Sequence, residues 1–355
     1  MLSGRRKLII KNAIKQTSWG KYLRDKYQRR RLSSRADAEA TVKKYLGDTI
    51  SDERLNEIVD DMLVEAKEHD FAFYEYMMYH FYNMPKNERR EYVSTLERIS
   101  YCERMNNGKN VIVFDDKGAT YKKFKSYYKR DLIEIPGSGM DSFLQFVVKH
   151  PRFIVKPFDG ACGYGVKIID ASKRIPNEVY KELMSEYVSG CVAEELIIQT
   201  DELAKFHPES VNTVRITTIL YPDRIDIIYP FFRIGRGNSV VDNGGSGGLI
   251  NSIDPKTGVI TSSADEMGFF YTEHPETHYQ IVGYHIPRWE EAKELARELA
   301  RVMPDNHYCG WDFALTNGGW VLQEANDRGE FVGFQLPTQK GFRKELMNIL
   351  KELGV

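Results

Sequence analysis

The chain has 355 residues, of which 42% are hydrophobic, and a formal net charge of −1. This length and apolar content suffice for two or three compact units with real cores. No run of about 18 apolar residues occurs, and the N-terminus lacks the apolar segment and the cleavage site of a secretory signal, so we expect neither a membrane span nor secretion. The four cysteines are scattered and form no C-x-x-C pair. Their scatter argues against a zinc site and a disulfide framework, and it predicts a reducing cytoplasm.

Charge is unevenly distributed along the chain. Residues 1–47 carry 14 Lys and Arg but only three acids, a net charge of +11, and the remainder has a net charge of −12. Within residues 1–35, apolar residues alternate with basic ones as in a short amphipathic helix. One interpretation is peripheral contact with anionic lipid at the inner face of the membrane. The other is a solvated helix packed against the protein body. No recognition motif supports nucleic acid binding.

Residues 1–106 are predicted to be mainly helical. Ser51 precedes a helix that extends to about Lys67 with an apolar face. The aromatic run 71–82 reads as a core segment, and Pro85 is predicted to open a helix that ends near Asn106.

Beyond Asn107-Gly108, short β-type runs alternate with helices, which indicates an α/β or α+β body. The predicted strands cover residues 111–114, 153–156, 166–169, 192–197, 214–220 and 225–232, and a helix is predicted over 290–302.

A phosphate-binding element is predicted after the strand 153–156. Lys156 ends this strand and is followed by a turn rich in glycine, namely Gly160, Gly163 and Gly165. Such a turn allows backbone N–H groups to approach a polyphosphate. It is not a Walker A motif, because it leads into a strand rather than a helix. An ordinary structural turn is the competing interpretation.

Two later strands carry charged residues that pure packing does not require. Glu194 and Glu195 lie midway in an apolar strand that continues through Leu196 and Ile197. This run is suited to a hinge whose backbone pairs with an adenine edge, while a carboxylate takes the exocyclic amine. Gln199 or Asp201 would reach the ribose. Arg215 lies on a β-branched strand, where it either clamps phosphate or forms a buried ion pair.

A charged, glycine-rich loop follows the strand that contains Arg233. Long loops of this type often cover active sites, so we expect four residues of this loop to contact substrate: Asp242, Asn243, Gly247 and Gly248. His274, which precedes a proline, is predicted either to touch substrate or to cap its loop.

The C-terminal hairpin carries metal-type ligands. The apolar runs 310–315 and 321–326 flank an Asn-Gly turn signal. Glu324 and Asn326 share one face of their strand. A three-residue loop would place Asp312 opposite Glu324 on that face, whereas a two-residue loop would pair Asp312 with Gln323. Two carboxylates and an amide form a hard-oxygen site suited to Mg²⁺. A surface hairpin with solvated acids is equally consistent with this segment alone.

The order of these elements resembles the ATP-grasp superfamily over roughly residues 107–340. The similarity rests on Lys156 with its glycine loop, the hinge 194–197, Arg215, and the set Asp312, Glu324 and Asn326. Further motifs resemble the sugar-transfer associated branch, which occurs in cell-surface polysaccharide loci. These are Asn212-Thr213-Val214-Arg215, Val241-Asp242-Asn243, Gly247-Gly248, His274-Pro275-Glu276-Thr277, Gly283 to Pro287, and Gly310-Trp311-Asp312.

The resemblance implies an α+β fold in which two lobes clasp ATP. It implies a small lobe over 107–200 and a large lobe over 201–355, behind a helical region 1–106 whose basic arm covers about 1–47. ATP-grasp enzymes usually begin with a Rossmann-like domain instead, so their substrate recognition does not transfer. The resemblance further implies that Asp312, Glu324 and Asn326 hold two Mg²⁺ ions, with Mn²⁺ as an alternative. Lys117, in an Asp-Lys pair, would add a phosphate contact.

The implied reaction is an ADP-forming ligation. A substrate carboxylate attacks the γ-phosphate, and an amine then displaces phosphate from the acylphosphate. Lys156, Lys117 and Arg215 would neutralise developing charge, and Asn243 and Arg233 would lie near the transferred group. The partners would be a small carboxylate and an amine, and a sugar-linked form of either is one alternative. A kinase that phosphorylates a sugar or small metabolite uses the same residues, and a nucleotide-binding scaffold for glycosyltransferases is a third alternative.

Overall fold

The computed structural model describes residues 34–158 and 165–355. Most of the predicted basic arm, and with it the predicted lipid contact, lies outside the described residues. The same holds for Gly160 and Gly163 of the predicted phosphate loop.

From residue 34 onward, the N-terminal region is mainly helical, as predicted. Its helices are α1 (Arg35–Leu46), α2 (Asp52–His69), α3 (Phe73–Met78), α4 (Lys86–Arg89) and α5 (Thr95–Asn106). Ser51 caps α2 by accepting from the Arg54 amide. The single helix predicted from Pro85 to Asn106 is wrong, because the chain turns after α4 and starts again at Ser94. There a capping box with Glu97 begins α5.

The aromatic run 71–82 forms the centre of this region, as predicted. Phe71, Tyr76, Tyr79 and Phe81 are buried. The rings of the first three contact the ring of Phe81 at centroid distances of 4.9 to 5.8 Å. Burial of several aromatic rings supplies much of the apolar area that holds short helices together.

A four-stranded antiparallel sheet follows. The segment that contains this sheet comprises, in chain order, α6 (Val111–Asp115), α7 (Lys117–Tyr128), β1 (Leu132–Ile135), α8 (Gly139–Lys149), β2 (Arg152–Pro157), β3 (Lys167–Asp170), α9 (Pro176–Glu186) and β4 (Cys191–Glu195). The strand order is β1-β4-β2-β3. The strand predicted over 111–114 is wrong, because these residues form α6 after Asn110, which has a φ of 60°. Only Val111 is buried there, so the β-propensity of the run is overridden by its tertiary setting.

A six-stranded antiparallel sheet completes the fold. The segment that contains this sheet comprises, in chain order, α10 (Asp201–Ala204), β5 (Thr213–Leu220), β6 (Ile225–Ile234), β7 (Leu249–Ile253), β8 (Ile260–Ala264), α11 (Trp289–Val302), β9 (Tyr308–Thr316), β10 (Gly319–Asn326), α12 (Val332–Thr338) and α13 (Arg343–Leu353). The strand order is β10-β9-β5-β6-β7-β8. The predicted strands 214–220 and 225–232 and the predicted helix 290–302 are therefore present.

The two faces of the large sheet contact different parts of the protein. Phe232 points into a core shared with α11, whereas the neighbouring Phe231 points into a core shared with the helical region, α12 and α13. Adjacent strand residues face opposite sides, so the helical region covers part of the face that α11 does not. Within the described ranges, no helix combines the length and apolar character needed to cross a membrane.

Candidate functional site

The β9–β10 hairpin sets the position of the predicted metal ligands. Thr316 pairs with Gly319, so the loop holds two residues, the alternative that was expected to pair Asp312 with Gln323. Asp312 nevertheless pairs with Glu324, because the register shifts between Leu322 and Glu324. The bulge adds one residue to β10 and exchanges the faces of the following side chains. The predicted juxtaposition of Asp312 and Glu324 is thus present for a different reason.

Asp312 is fully buried and is bound by two arginines. Arg215 contacts it twice, with Nε to Oδ1 at 2.5 Å and Nη2 to Oδ2 at 2.5 Å. Nη2 of Arg233 lies 2.9 Å from Oδ2. Burial opposes ionisation of Asp312, but the charges of Arg215 and Arg233 outweigh it and lower the pKa of this carboxyl. Asp312 is therefore a carboxylate in a positively charged surrounding, which is unlike a solvated surface acid.

Arg233 connects Asp312 to the start of the glycine-rich loop. Its Nε lies 3.4 Å from Oδ2 of Asp242, and its Nη2 donates to the hydroxyl of Thr213 at 2.7 Å. The Thr213 amide and hydroxyl both donate to Asp242. Burial raises the pKa of Asp242, although Arg233 opposes this effect. Asp242, predicted to contact substrate, is instead enclosed in this network.

The remaining metal-type ligands fit a hard cation. Glu324 is exposed and Asn326 is partly exposed on the strand that carries them. Nδ2 of Asn326 is buried without a hydrogen-bond partner in the described part of the chain. The amide nitrogen is not itself a ligand for a hard cation, which would bind the amide oxygen of Asn326. Two carboxylates and an amide oxygen are the donors that Mg²⁺ prefers.

A buried ionic chain links the two sheets. Nζ of Lys156 lies 2.8 Å from Oε2 of Glu194, and Nε of Arg130 donates to Oε1 of Glu194 at 2.5 Å. Nη1 of Arg130 donates to the carbonyl of Leu322 at 2.6 Å, directly before the β10 bulge. Burial opposes ionisation of Glu194, but Arg130 and Lys156 lower its pKa. Glu194 therefore binds two cations, rather than offering the free carboxylate predicted for an adenine amine.

The predicted hinge leaves the strand after Glu195. Glu195 accepts from the Asp131 amide at 2.9 Å, and Leu196 and Ile197 are partly exposed without strand pairing. Asp131, His150 and Glu195 bring ligand atoms within 4.8 Å of one another, but Lys149 and His150 already pair with Asp131. This group is thereby explained as an ion-pair network.

The other predicted nucleotide contacts differ in their positions. The side chain of Gln199 donates to the Ser210 carbonyl at 2.6 Å and accepts from the Asn212 amide at 3.0 Å, so it is not free to reach a ribose. Asp201 is exposed at the start of α10, and Lys117 is partly exposed at the start of α7. Gly165 has a φ of 73°.

The glycine-rich loop approaches the site through Asp242. Asn243 caps a 3₁₀ turn (Gly244–Ser246) by accepting from the Gly245 amide at 3.3 Å. A Cβ at Gly248 would lie 2.6 Å from the Asp242 carbonyl and 2.9 Å from the Ile234 carbonyl. Glycine is therefore required at position 248 for the loop to return against β6.

His274 is fully buried and has a structural role, the capping alternative predicted for it. Its Nδ1 accepts from the amides of Glu276 and Thr277 at 3.3 Å, so Nε2 carries the proton and donates to the Gly235 carbonyl at 3.0 Å. It does not face solvent as a substrate contact would.

Arg130 is the residue that sequence reasoning missed. It lies between α7 and β1 in a Lys-Arg-Asp run that looks like a solvated surface segment. Its partners Glu194 and Leu322 are 64 and 192 residues away, so no local pattern indicates the contact.

Comparison with known proteins places these observations in a family context. A family model described as sugar-transfer associated ATP-grasp matches residues 96–351. No curated protein matches the chain.

Among solved structures, the ATP-grasp ligase PsnB complexed with a phosphomimetic variant of minimal precursor, Mg and ADP has 12% identity and a TM-score of 0.44. That match covers 71% of this chain and 62% of PsnB. D-alanyl-alanine synthetase A from Vibrio cholerae has 11% identity and a TM-score of 0.43, covering 68% of this chain and 65% of that one. D-Alanine-D-Alanine ligase from Helicobacter pylori has 15% identity and a TM-score of 0.43, covering 68% and 62%. The chain thus spans less than two thirds of the length of each of these three proteins.

Proposed function

The chain belongs to the sugar-transfer associated ATP-grasp family, and on that premise we propose that it is an ATP-dependent ligase. The reaction would join a substrate carboxylate to an amine and release ADP and phosphate. The observation that carries this proposal is the Asp312–Glu324 pair, set beside Arg215 and Arg233 on one face of the large sheet. A site of this kind concentrates both acidic metal ligands and cationic phosphate ligands at one place.

The proposed nucleotide site spans the two sheets. Lys156 and Lys117 would contact the phosphates from the small sheet, and the backbone of Leu196 and Ile197 would receive the adenine edge. Glu194 keeps the ammonium of Lys156 in place, since it is buried and lies 2.8 Å away. Bound by Asp312, Glu324 and Asn326, Mg²⁺ would supply positive charge to the phosphate oxygens.

The proposed chemistry proceeds in two transfers. A carboxylate oxygen of the substrate attacks the γ-phosphorus of ATP, and ADP leaves with the electrons of the broken P–O bond. The amine nitrogen then attacks the acyl carbon, phosphate leaves, and the amine proton passes to solvent. Arg215 and Arg233 would stabilise the negative charge near the transferred group. No protein nucleophile is required, in keeping with the roles assigned to the residues above.

The biological setting is part of the same proposal. The family description points to sugar transfer, so we propose that the product belongs to cell-surface polysaccharide or related conjugate biosynthesis, carried out in the cytoplasm. A carboxylate or amine on a sugar would then be one of the two substrates.

The experiment is a product analysis on the full chain. Purified protein with Mg·ATP would be incubated with uronic acids, amino acids and pairs of them, while ADP, phosphate and product mass are followed. ADP and phosphate formed only with a carboxylate–amine pair, together with a condensed mass, is the expected result. A product heavier by one phosphoryl group would identify a kinase instead. Asp312→Asn should abolish turnover, whereas a scaffold would keep its cellular role in that variant.

A further inference from the structure

The stretch Gly235-Arg236-Gly237 directly follows β6 and is fixed on both sides by four side chains, of which Asn212, His207 and His274 are buried. The Gly235 amide donates to Oδ1 of Asn212 at 3.2 Å, and its carbonyl accepts from His274 at 3.0 Å. The Gly237 amide donates to both carboxylate oxygens of Glu276 at 2.8 and 2.9 Å. The Gly237 carbonyl accepts from Nε2 of His207 at 2.9 Å.

The two glycines make this close enclosure possible. A Cβ at position 235 would collide with the hydroxyl of Ser210 and would lie 2.6 Å from Nδ1 of His207. Gly237 has a φ of 64°, a conformation that other residues rarely adopt. The backbone on either side of Arg236 is therefore held in one arrangement.

The proposed nucleotide site uses none of the side chains that make these contacts. Asn212 and His274 have no solvent exposure, and His207 has 2%. All three act on the backbone that carries Arg236. Buried polar groups must be hydrogen-bonded in the interior, and here several of them bond to one backbone segment. They fix the backbone from which the side chain of Arg236 extends.

The guanidinium of Arg236 is only partly used by the protein. Nη1 donates to the Tyr271 hydroxyl at 3.1 Å and lies 3.4 Å from Oδ2 of Asp265. Oδ2 of Asp265 also accepts from Tyr271, and its Oδ1 accepts from two amides, so this carboxylate is shared. Over the described ranges, Nε and Nη2 of Arg236 donate no hydrogen bond.

The free side of this guanidinium lies beside the glycine-rich loop. Nη2 of Arg236 is 3.9 Å from the position of a Cβ built on Gly247. The same loop begins at Asp242, which joins the Arg233–Asp312 network. Arg236 and the reaction centre therefore border the same loop from its two ends.

We propose that Arg236 binds an anionic group, a carboxylate or a phosphate, on the acceptor substrate. A guanidinium presents parallel N–H donors that match these oxyanions, and two nitrogens of Arg236 donate to none of the residues that the structure describes. The inference rests on the proposed function, because it names the chemistry of the substrate that the ligase takes.

Saturation-transfer difference NMR on the full chain with Mg·ADP tests this without turnover. The probes are two matched pairs, glucuronate with glucuronamide and glucose 1-phosphate with glucose, so that the carboxylate and phosphate sources are separated. The expected result is that at least one acid binds more tightly than its neutral partner. Arg236→Met should weaken that acid by about 10-fold to 100-fold and leave the neutral compound unchanged, as for the loss of hydrogen bonds to a charged group.

Two further variants make the outcome decisive. Arg236→Lys keeps the charge and serves if Arg236→Met fails to fold; it should retain part of the acid preference. Arg297→Met, on the exposed side of α11 and paired to Glu294 at 3.4 Å, is the matched control and should change nothing. Equal binding of acids and neutral partners to the wild-type protein, or an acid preference that survives in Arg236→Met, would overturn the proposal. Failure to bind Mg·ADP, measured separately by calorimetry, would instead count against the proposed ligase.

Discussion

Replacing Arg130 tests whether the two sheets are joined through one buried ionic chain. Arg130 has 9% exposure and Glu194 has 2%. Arg130→Met removes the bond to Glu194 and the bond to the Leu322 carbonyl together. Breaking a buried pair by removing one partner costs about 3–5 kcal/mol. Because Lys156 still binds Glu194 in the variant, we expect the loss of unfolding free energy to lie near the lower end.

The assay is urea unfolding followed by tryptophan fluorescence. Trp311 and Trp320 lie on β9 and β10, the strands next to the contact. In a double-mutant cycle, Arg130→Met with Glu194→Gln should cost less than the sum of the single changes, with a coupling of at least about 1 kcal/mol.

A second buried arginine supplies the control. Arg89 has 6% exposure and pairs with Asp61 and Glu65 in the helical region. Arg89→Met should also destabilise the protein, but its effect should add to that of Arg130→Met within about 0.5 kcal/mol, since the sites share no partner. A cost below about 1 kcal/mol for Arg130→Met, or strict additivity with Glu194→Gln, would refute the reasoning.

Three further predictions concern the site and the helical region. Arg215→Ala should lower kcat by about 10²–10³ if Arg215 stabilises the transferred phosphate. Steady-state kinetics with the substrates identified by the product analysis would check this. A change of only a few-fold would reduce Arg215 to a structural partner of Asp312. Gly248→Ala should displace the loop from the Asp242 carbonyl and abolish ligation while ADP binding, followed by calorimetry, persists; an active variant would contradict the close approach. Burial raises the pKa of Glu75 to about 7, against hydrogen bonds that lower it. A carboxyl with a raised pKa in the folded protein holds its proton there more tightly than in the unfolded chain. The free energy of unfolding should therefore fall as pH rises from about 4.5 to about 7. Because one pKa unit corresponds to about 1.4 kcal/mol, the fall should be a few kcal/mol at most. Urea titrations across that range should show this slope and Glu75→Gln should remove it; an identical slope in both proteins would assign the effect elsewhere.

Local patterns were sufficient for the elements whose apolar residues pack at regular spacing against a core. The apolar runs at 214–220 and 225–232 are strands, and the apolar stripe of 290–302 is the buried face of α11, because burial of a periodic pattern selects one secondary structure. The run 111–114 has the same composition as a strand but forms α6. It pairs with none of the strands in the described part of the chain, and pairing is a property of the tertiary structure.

The C-terminal hairpin separates local from tertiary information most clearly. The Asn-Gly signal correctly marks a turn, and its two-residue length is the common one for such a dipeptide. Local rules alone would then pair Asp312 with Gln323. The bulge after Leu322 reverses that outcome, and Leu322 is the residue whose carbonyl Arg130 holds.

The sequence by itself determined which residue types could form a phosphate and metal site, since Lys156, Arg215, Asp312, Glu324 and Asn326 are poor choices for a purely apolar strand. Only the tertiary structure decided how they are paired. Arg215 binds Asp312 over a separation of 97 residues, and Lys156 binds Glu194 over a separation of 38 residues. Ion pairs of this kind depend on which strands become neighbours in a sheet, and that information is not contained in any local stretch of the chain.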